Sequence, residues 1–142
     1  MKYLKSNIHL QVAKEYAKLS KAKRLQVGAV IVKDDRPISV GYNGCIAGGS
    51  NICEEYIQDG SVAVLITKKE VIHAEMNAIA FAAKEGISTN KCNIYITHSP
   101  CFDCSRLIIQ SGIKEVYYET KYRDDSGIKY LLDNNIIVKQ IV

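Results

Sequence analysis

Apolar positions recur along the chain with two different periods, and these periods predict its first helix and strands. Between residues 4 and 19 the apolar side chains recur every three or four positions, which indicates one stripe of an amphipathic helix. Val27–Val32 is an unbroken apolar run rich in β-branched residues, which predicts a strand covered on both faces. A polar turn at 33–37 leads to a second strand at Ile38–Tyr42, so we expect an antiparallel hairpin.

The middle of the chain, residues 43–61, contains several glycines and shows no sustained period. We expect a long loop there, with a helical turn around Glu54–Ile57. Loops of this length inside a compact domain are usually functional or disordered. The next segment, Val62–Thr67, favours a short strand or an extended stretch.

The second half of the chain alternates helical and extended segments. An alanine-rich stretch at 74–84 predicts a helix capped by Gly86, and Pro100 marks the start of a helix over 101–111. The other predicted elements are strands at Cys92–Thr97, Val116–Glu119 and Ile136–Val142 and a helix at 124–133. This order predicts an α/β fold, a three-layer α/β/α sandwich with a single five-stranded mixed sheet, in one domain over residues 1–142.

Composition indicates the class of protein and its location. Hydrophobic residues make up 47% and charged residues 24% of the 142, as in soluble globular proteins. No apolar run approaches the ~18 residues of a membrane span, and the N-terminus lacks a secretory signal. The expected location is therefore cytoplasmic, with no membrane partner. A net charge of +4 suits a phosphate-bearing ligand, but no basic block of ~5–8 residues predicts a nucleic-acid partner.

Two short motifs carry the candidate chemistry, His73-Ala-Glu75 and Pro100-Cys-Phe-Asp-Cys104. Zinc prefers thiolate and imidazole ligands, and a catalytic zinc site keeps one of its four positions open. His73, Cys101 and Cys104 supply three such ligands. The two cysteines lie three apart in the first turn of a predicted helix, which places both sulfurs on one face and favours thiolate. Both helices are expected to begin at the carboxyl edge of the sheet, so the motifs should meet there.

Glu75 is predicted to be a catalytic proton carrier rather than a ligand. A carboxylate beside the open coordination position can take a proton from water and deliver protons to a ring nitrogen and a leaving amine. The pairing of H-x-E with P-C-x-x-C is the signature of zinc deaminases. The alternative is a structural zinc site with Glu75 on a solvated face, although closed structural sites usually have four protein ligands.

Over nearly its whole length the chain resembles the cytidine/deoxycytidylate deaminase family, most closely its deoxycytidylate (dCMP) branch. The segments that carry the resemblance are Val27–Val30, Gly41–Gly44, Gly48-Gly49, His73–Ile79, Ser99–Cys104, Gln110–Ile113 and Tyr122–Gly127. The resemblance implies a cytidine deaminase-like fold and Zn²⁺-dependent hydrolysis of dCMP to dUMP and ammonia. It also implies a homo-oligomer, commonly a hexamer, activated by dCTP with Mg²⁺ and inhibited by dTTP.

The same resemblance implies two sets of nucleotide contacts. The substrate would meet Arg24 at its phosphate and Asn43 at its sugar, with Ser99 and Tyr122 beside it. The effector would use a glycine loop and one helix face, whose residues are Tyr42, Asn43, Gly44, Gly48, Gly49, Asn77, Phe81 and Lys84. A guanidinium suits phosphate and glycines admit close backbone approach, but core packing is the commoner use of a phenylalanine such as Phe81. Ile46 departs from the family, which often has proline there.

Several alternatives remain open from the sequence. Cys53 and His98 are candidates for a second, structural zinc, although buried or free thiols are the commoner outcome. His9 is expected to be a partly exposed helix residue. The chain can also be read as a deaminase of bases in RNA or single-stranded DNA, or as a non-catalytic zinc module. A strand-binding enzyme needs a basic groove and aromatic platforms, for which only tyrosines such as Tyr117, Tyr118, Tyr122 and Tyr130 are available.

Overall fold

The computed structural model describes residues 2–142, so Met1, the first residue of the predicted domain, lies outside the described part. The elements in chain order are α1 (Lys2–Ala17), β1 (Gly28–Lys33), β2 (Arg36–Tyr42), β3 (Glu54–Asp59), β4 (Val62–Thr67), α2 (Ala74–Lys84), β5 (Asn93–His98), α3 (Phe102–Gln110), β6 (Glu115–Thr120), α4 (Ser126–Asp133) and β7 (Ile137–Gln140). Each helix and strand expected from the periodic segments is present, with bounds within about two residues of the prediction.

Five strands form one mixed sheet in the order β2-β1-β5-β6-β7. β1 pairs antiparallel with both β2 and β5, whereas β5, β6 and β7 run parallel. The turn between β1 and β2 has positive φ at Asp34 (51°) and Asp35 (62°), the backbone of a tight hairpin. The predicted five-stranded mixed sheet and its opening hairpin are therefore confirmed.

Alternate side chains of β1 enter two separate cores, one on each face of the sheet. Ala29 and Ile31 pack with α2 residues such as Ala78. Val30 and Val32 pack on the opposite face with α1 residues that include Leu10. Because both faces of β1 are covered, its unbroken apolar sequence is explained, and the three-layer arrangement follows.

Gly28, at the start of β1, is where α1 approaches the sheet most closely. A Cβ atom there would collide with the carbonyl oxygen of Ala13 and lie 2.9 Å from the amide nitrogen of Ala17. We expect Gly28→Ala to lower the free energy of unfolding by about 1–3 kcal/mol, as overpacking does. Gly44→Ala is the matched control, because an added Cβ meets nothing within 4 Å there. Urea unfolding measures both, and equal destabilisation of the two variants would contradict the prediction.

The expected loop at 43–61 is partly wrong, because its end forms a strand. Glu54–Asp59 is β3, which pairs antiparallel with β4 as a separate two-stranded sheet. Gly60 makes the turn with φ of +65°. The helical turn expected around Glu54–Ile57 is therefore absent from the described chain. Most side chains of this hairpin are exposed, so it lacks the alternating pattern from which strands are predicted.

Two single-residue expectations are also wrong. His9 is only 6% exposed, because α1 turns it onto the sheet against the ring of Tyr95, with the ring centroids 5.1 Å apart. Burial lowers the pKa of His9. Phe81, expected in the core, is 45% exposed on the outer side of α2. No helix in the 2–142 range is long and apolar enough to cross a membrane.

Candidate active site

The two motifs of the candidate site lie at helix starts. His73 is the N-cap of α2 and Cys101 is the N-cap of α3, both with extended backbone. The Cys101 sulfur accepts a hydrogen bond from the amide nitrogen of Cys104 at 3.4 Å. An N-cap side chain turns back toward the first free N–H groups of its helix. Cys101 caps α3 in this way, whereas the His73 side chain makes no capping bond and instead contacts the two cysteine sulfurs.

His73, Cys101 and Cys104 form a compact cluster in the structure. His73 Nδ1 lies 3.5 Å from the sulfur of Cys101 and 3.3 Å from that of Cys104. All three potential ligand atoms lie within 4.8 Å of one another. Tetrahedral zinc with bonds of about 2.0–2.3 Å needs ligand atoms about 3.5 Å apart, so this donor set fits one ion. Three protein ligands leave one position open, as in catalytic rather than structural sites.

The two thiols of the cluster differ in acidity. A hydrogen bond from Cys104, helped by His73, lowers the pKa of Cys101 to about 4. The same contact with Cys101, together with burial, raises the pKa of Cys104. Hydrogen bonding to Cys101 also raises the pKa of His73. The lowered pKa of Cys101 favours its thiolate form, and binding of a metal would require Cys104 to lose its proton as well.

Glu75 lies in the first turn of α2 with its side chain only 5% exposed. Burial raises the pKa of this carboxyl to about 7. A carboxyl whose pKa is close to neutral pH takes up and releases a proton with little free-energy cost in either direction. Glu75 also lines the pocket that contains the cluster. The carboxyl that is predicted to carry protons therefore lies in the same pocket as the predicted zinc ligands.

A pocket of about 540 Å³ opens over the cluster. The predicted site residues that line it are Arg24, Asn43, His73, Glu75, Cys101 and Tyr122. A volume of this size matches a small-molecule site. The structure thus brings three of the four implied substrate residues, Arg24, Asn43 and Tyr122, to the same pocket as the cluster.

The implied substrate residues differ in how free their side chains are. Asn43 bridges the loop ahead of β1, accepting from the Val27 amide (2.9 Å) and donating to the Leu25 carbonyl (2.8 Å). Ser99 is fully buried, and its hydroxyl accepts from the amide of Tyr122 at 2.8 Å. Burial raises the pKa of Tyr122 to about 12. Ser99 therefore supports the segment that carries Tyr122 and does not itself line the pocket.

The residues implied for an effector lie outside the cluster, after β2 and along α2. The side-chain amide of Asn77 donates to the Tyr42 carbonyl at 2.7 Å, which ties α2 to the loop. Gly44 pairs with Ile72 in an isolated bridge. The other members are exposed, namely Tyr42, Gly48, Gly49, Phe81 and Lys84. Apart from Asn43, these residues do not line the pocket that contains the cluster.

Some lining residues were not expected from the sequence. Thr67 ends the expected extended segment Val62–Thr67, but the pairing of that segment with β3 was not predicted, so nothing placed Thr67 at the pocket. His98 was considered only as a ligand of a second zinc. Within the described chain, neither His98 nor Cys53 belongs to a cluster of three or more metal-ligating side chains. Arg123, beside Tyr122 in a segment that carries the family resemblance, was open to prediction as a second pocket cation.

Sequence comparisons connect this arrangement to known proteins. The family model described as "Cytidine and deoxycytidylate deaminase zinc-binding region" matches residues 5–120. Deoxycytidylate deaminase of Enterobacteria phage T4 is 37% identical over 166 residues, which cover 92% of this chain and 86% of the phage protein. ComE operon protein 2 of Bacillus subtilis (strain 168) is 42% identical over 123 residues, or 86% of this chain and 63% of that protein.

A solved structure is similar over almost the whole chain. The dCMP deaminase from the cyanophage S-TIM5, in complex with dCMP and dUMP, matches with a TM-score of 0.84 and 37% identity. The match covers 94% of each chain. The two proteins therefore share one fold over nearly their whole lengths.

Proposed function

Since the chain belongs to the cytidine and deoxycytidylate deaminase family, we propose that it hydrolyses dCMP to dUMP and ammonia. The observation that carries the proposal is the cluster of His73, Cys101 and Cys104 beside the buried carboxyl of Glu75, on the wall of one pocket. The cyanophage enzyme whose structure contains dCMP and dUMP supports the choice of substrate.

In the proposed reaction the cluster holds Zn²⁺ and Glu75 moves the protons. When bound, zinc supplies the Lewis acidity that allows water to lose a proton near neutral pH. Glu75 accepts that proton and passes it to the ring nitrogen beside C4 of cytosine. The water oxygen meanwhile bonds to C4, which gives a C4 hydroxyl. The same carboxyl then moves the proton of that hydroxyl to the amino group, so the C4–N bond breaks, ammonia leaves and a carbonyl remains at C4. Because Glu75 is buried, bulk water does not compete for these protons.

The remaining pocket residues are proposed to bind the nucleotide. Arg24 is a multidentate donor that suits a phosphate, and Arg123 adds a second cation to the same pocket. Each polar atom of the Asn43 amide already makes one backbone bond, which leaves one N–H and one lone pair for the sugar. Tyr122 contributes an aromatic wall to the pocket. The hydroxyl of Ser99 supports Tyr122 by accepting a hydrogen bond from the backbone amide of Tyr122.

Regulation and assembly complete the proposal. An effector nucleotide, dCTP with Mg²⁺ as activator or dTTP as inhibitor, would bind the loop after β2 and the outer face of α2. The bond from Asn77 to Tyr42 supports this, because it couples that face to the strand leading to Asn43. Ile46 is 67% exposed where the family often has proline. We also propose a cytoplasmic homo-oligomer, with a hexamer as the expected size.

A substrate panel tests the proposed function. Purified protein with one zinc per chain is incubated with dCMP, cytidine or a short cytosine-containing single strand, and ammonia release is measured. We expect dCMP to have the highest kcat/KM of the three substrates. Turnover of the strand only would favour a nucleic-acid deaminase. That alternative is weakened by Tyr117 and Tyr118, which are 4% and 6% exposed and have no free ring face for stacking. No turnover of any small cytosine compound would refute the proposal.

The same assay tests regulation. dCTP with Mg²⁺ is expected to increase the rate at low dCMP, and dTTP to decrease it, because each would shift the population of the binding-competent state. Size-exclusion chromatography with light scattering gives the oligomer in each condition. A rate that does not respond to either nucleotide would remove the regulatory part of the proposal and leave the catalytic part intact.

A further inference from the structure

Arg24 lies in the segment between α1 and β1, which has little regular structure of its own. Side chains hold much of it in place. The Asn43 amide bridges Leu25 and Val27, and the Gln26 amide donates to the Ser20 carbonyl at 2.8 Å. A backbone segment held in this way depends on the particular residues that accept and donate to it.

A single cross-strand pair of the β3–β4 hairpin contacts Arg24 at both ends. Glu54 and Thr67 lie opposite each other in the register of the hairpin. One carboxylate oxygen of Glu54 accepts from the backbone amides of Lys23 (2.8 Å) and Arg24 (3.0 Å). The hydroxyl of Thr67 accepts from the Arg24 guanidinium at 3.2 Å. The pair thus fixes both the backbone and the head group of this arginine.

Glu54 is only 7% exposed, and this burial calls for an explanation. A carboxylate is costly to remove from water unless hydrogen bonds replace its hydration. Its two bonds from the arginine-bearing segment supply that replacement. By contrast Glu55, the next residue of β3, is exposed. The two hydrogen bonds from the segment that carries Arg24 therefore account for the burial of the Glu54 carboxylate.

We infer that Glu54 and Thr67 are positioning residues that pre-organise Arg24 for the phosphate of the substrate, and so set the preference for a nucleotide over a nucleoside. The inference rests on the proposed function. A free arginine side chain loses rotamer entropy when it is fixed. If the hairpin has already fixed it, that loss does not reduce the affinity for the phosphate. The pair acts on a group remote from the cytosine ring, so the chemical step should not need it.

The inference predicts a selective loss of affinity. Glu54→Ala is expected to raise KM for dCMP about tenfold, because it removes two charge-assisted hydrogen bonds. Thr67→Val is expected to raise KM about threefold, because it removes one neutral acceptor. The value of kcat with dCMP, and kcat/KM with deoxycytidine, should stay within about twofold of the parent protein. Glu54→Gln keeps one acceptor oxygen and should recover most of the affinity. Glu55→Ala is the matched control and should change nothing.

A double-mutant cycle with Arg24→Ala separates positioning from general stability. In the Arg24→Ala background, Glu54→Ala and Thr67→Val should no longer raise KM for dCMP, because the residue through which they act is gone. Loss of zinc and of the thermal transition would reveal that Glu54→Ala fails to fold. In that case Thr67→Val decides the question, because it keeps a β-branched side chain.

Each outcome has a distinct meaning. If the parent protein does not deaminate dCMP, or Arg24→Ala leaves KM unchanged, the proposed function or its phosphate contact is wrong. If Arg24→Ala raises KM but both hairpin variants leave it unchanged, the inference is overturned. An equal loss with dCMP and deoxycytidine, or an undiminished loss in the Arg24→Ala background, would also overturn it, since either shows a purely structural effect.

Discussion

Glu75→Gln is expected to abolish deamination while the protein still binds one zinc per chain. Glutamine preserves the size of the side chain and one acceptor oxygen, but its amide cannot take up and release the protons that the proposed reaction moves. General acid–base catalysis contributes about 10²–10⁴-fold to a rate, and both proposed transfers pass through this one carboxyl. The expected loss of kcat with dCMP is therefore at least about 10³-fold, with KM altered far less.

The matched control for this change is Glu85→Gln, an exposed residue at the C-terminal end of the same helix α2. It makes the same chemical substitution and should keep full activity. Initial rates at saturating dCMP, zinc content and the thermal transition are measured for both variants. Activity of Glu75→Gln within tenfold of the parent would show that another group carries the protons. A loss of zinc would show that Glu75 supports the metal.

The sheet and helix α2 were open to prediction because their burial is written in the local sequence. The apolar stripe expected along residues 4–19 was wrong for α1, since Leu4 and Ile8 are 56% and 54% exposed. The buried face of α1 carries His9 and small residues such as Ala13 instead. The apolar run that forms β1 has partners on both faces, and the alanine-rich α2 begins and ends as predicted at Ala74 and Lys84. The three potential ligands were predictable for a related reason. Each lies at a helix start that the sequence marks, with Pro100 before one of them, and parallel strands bring such starts together.

Strand β3 and its pairing with the expected segment Val62–Thr67 were missed because the stability of this hairpin does not come from an apolar face. Its side chains are mostly exposed, and what anchors it is the buried carboxylate of Glu54 on backbone amides about 30 residues away. A long-range side-chain-to-backbone bond leaves no period in the sequence. Thr67, and with it one wall of the pocket, was missed for the same reason. His9 was misjudged because a single polar residue does not show which way its helix faces.

Cys104→Ala is expected to remove zinc, activity and the stability that zinc provides. The sulfur of Cys104 lies 3.3 Å from His73 Nδ1 in a cluster with the minimum number of protein ligands for a catalytic zinc. Loss of groups that merely support zinc ligands costs about 10–100-fold in affinity, so loss of a ligand should cost more than about 100-fold. A chelator should lower the thermal transition of the parent protein and leave that of the variant unchanged.

Cys92→Ala makes the comparison specific to the metal. Cys92 and Cys104 are 1% and 0% exposed, so each variant loses one buried sulfur and leaves a similar cavity. A loss of stability that both variants share is therefore the cost of the cavity. The difference in stability between the two variants gives the contribution of bound zinc. Cys92→Ala should keep one zinc per chain, its dCMP turnover and its response to the chelator. If the two variants bound equal zinc, or if the chelator shifted both transitions alike, Cys104 would not be a ligand and the proposed metal site would have to be rebuilt from other residues.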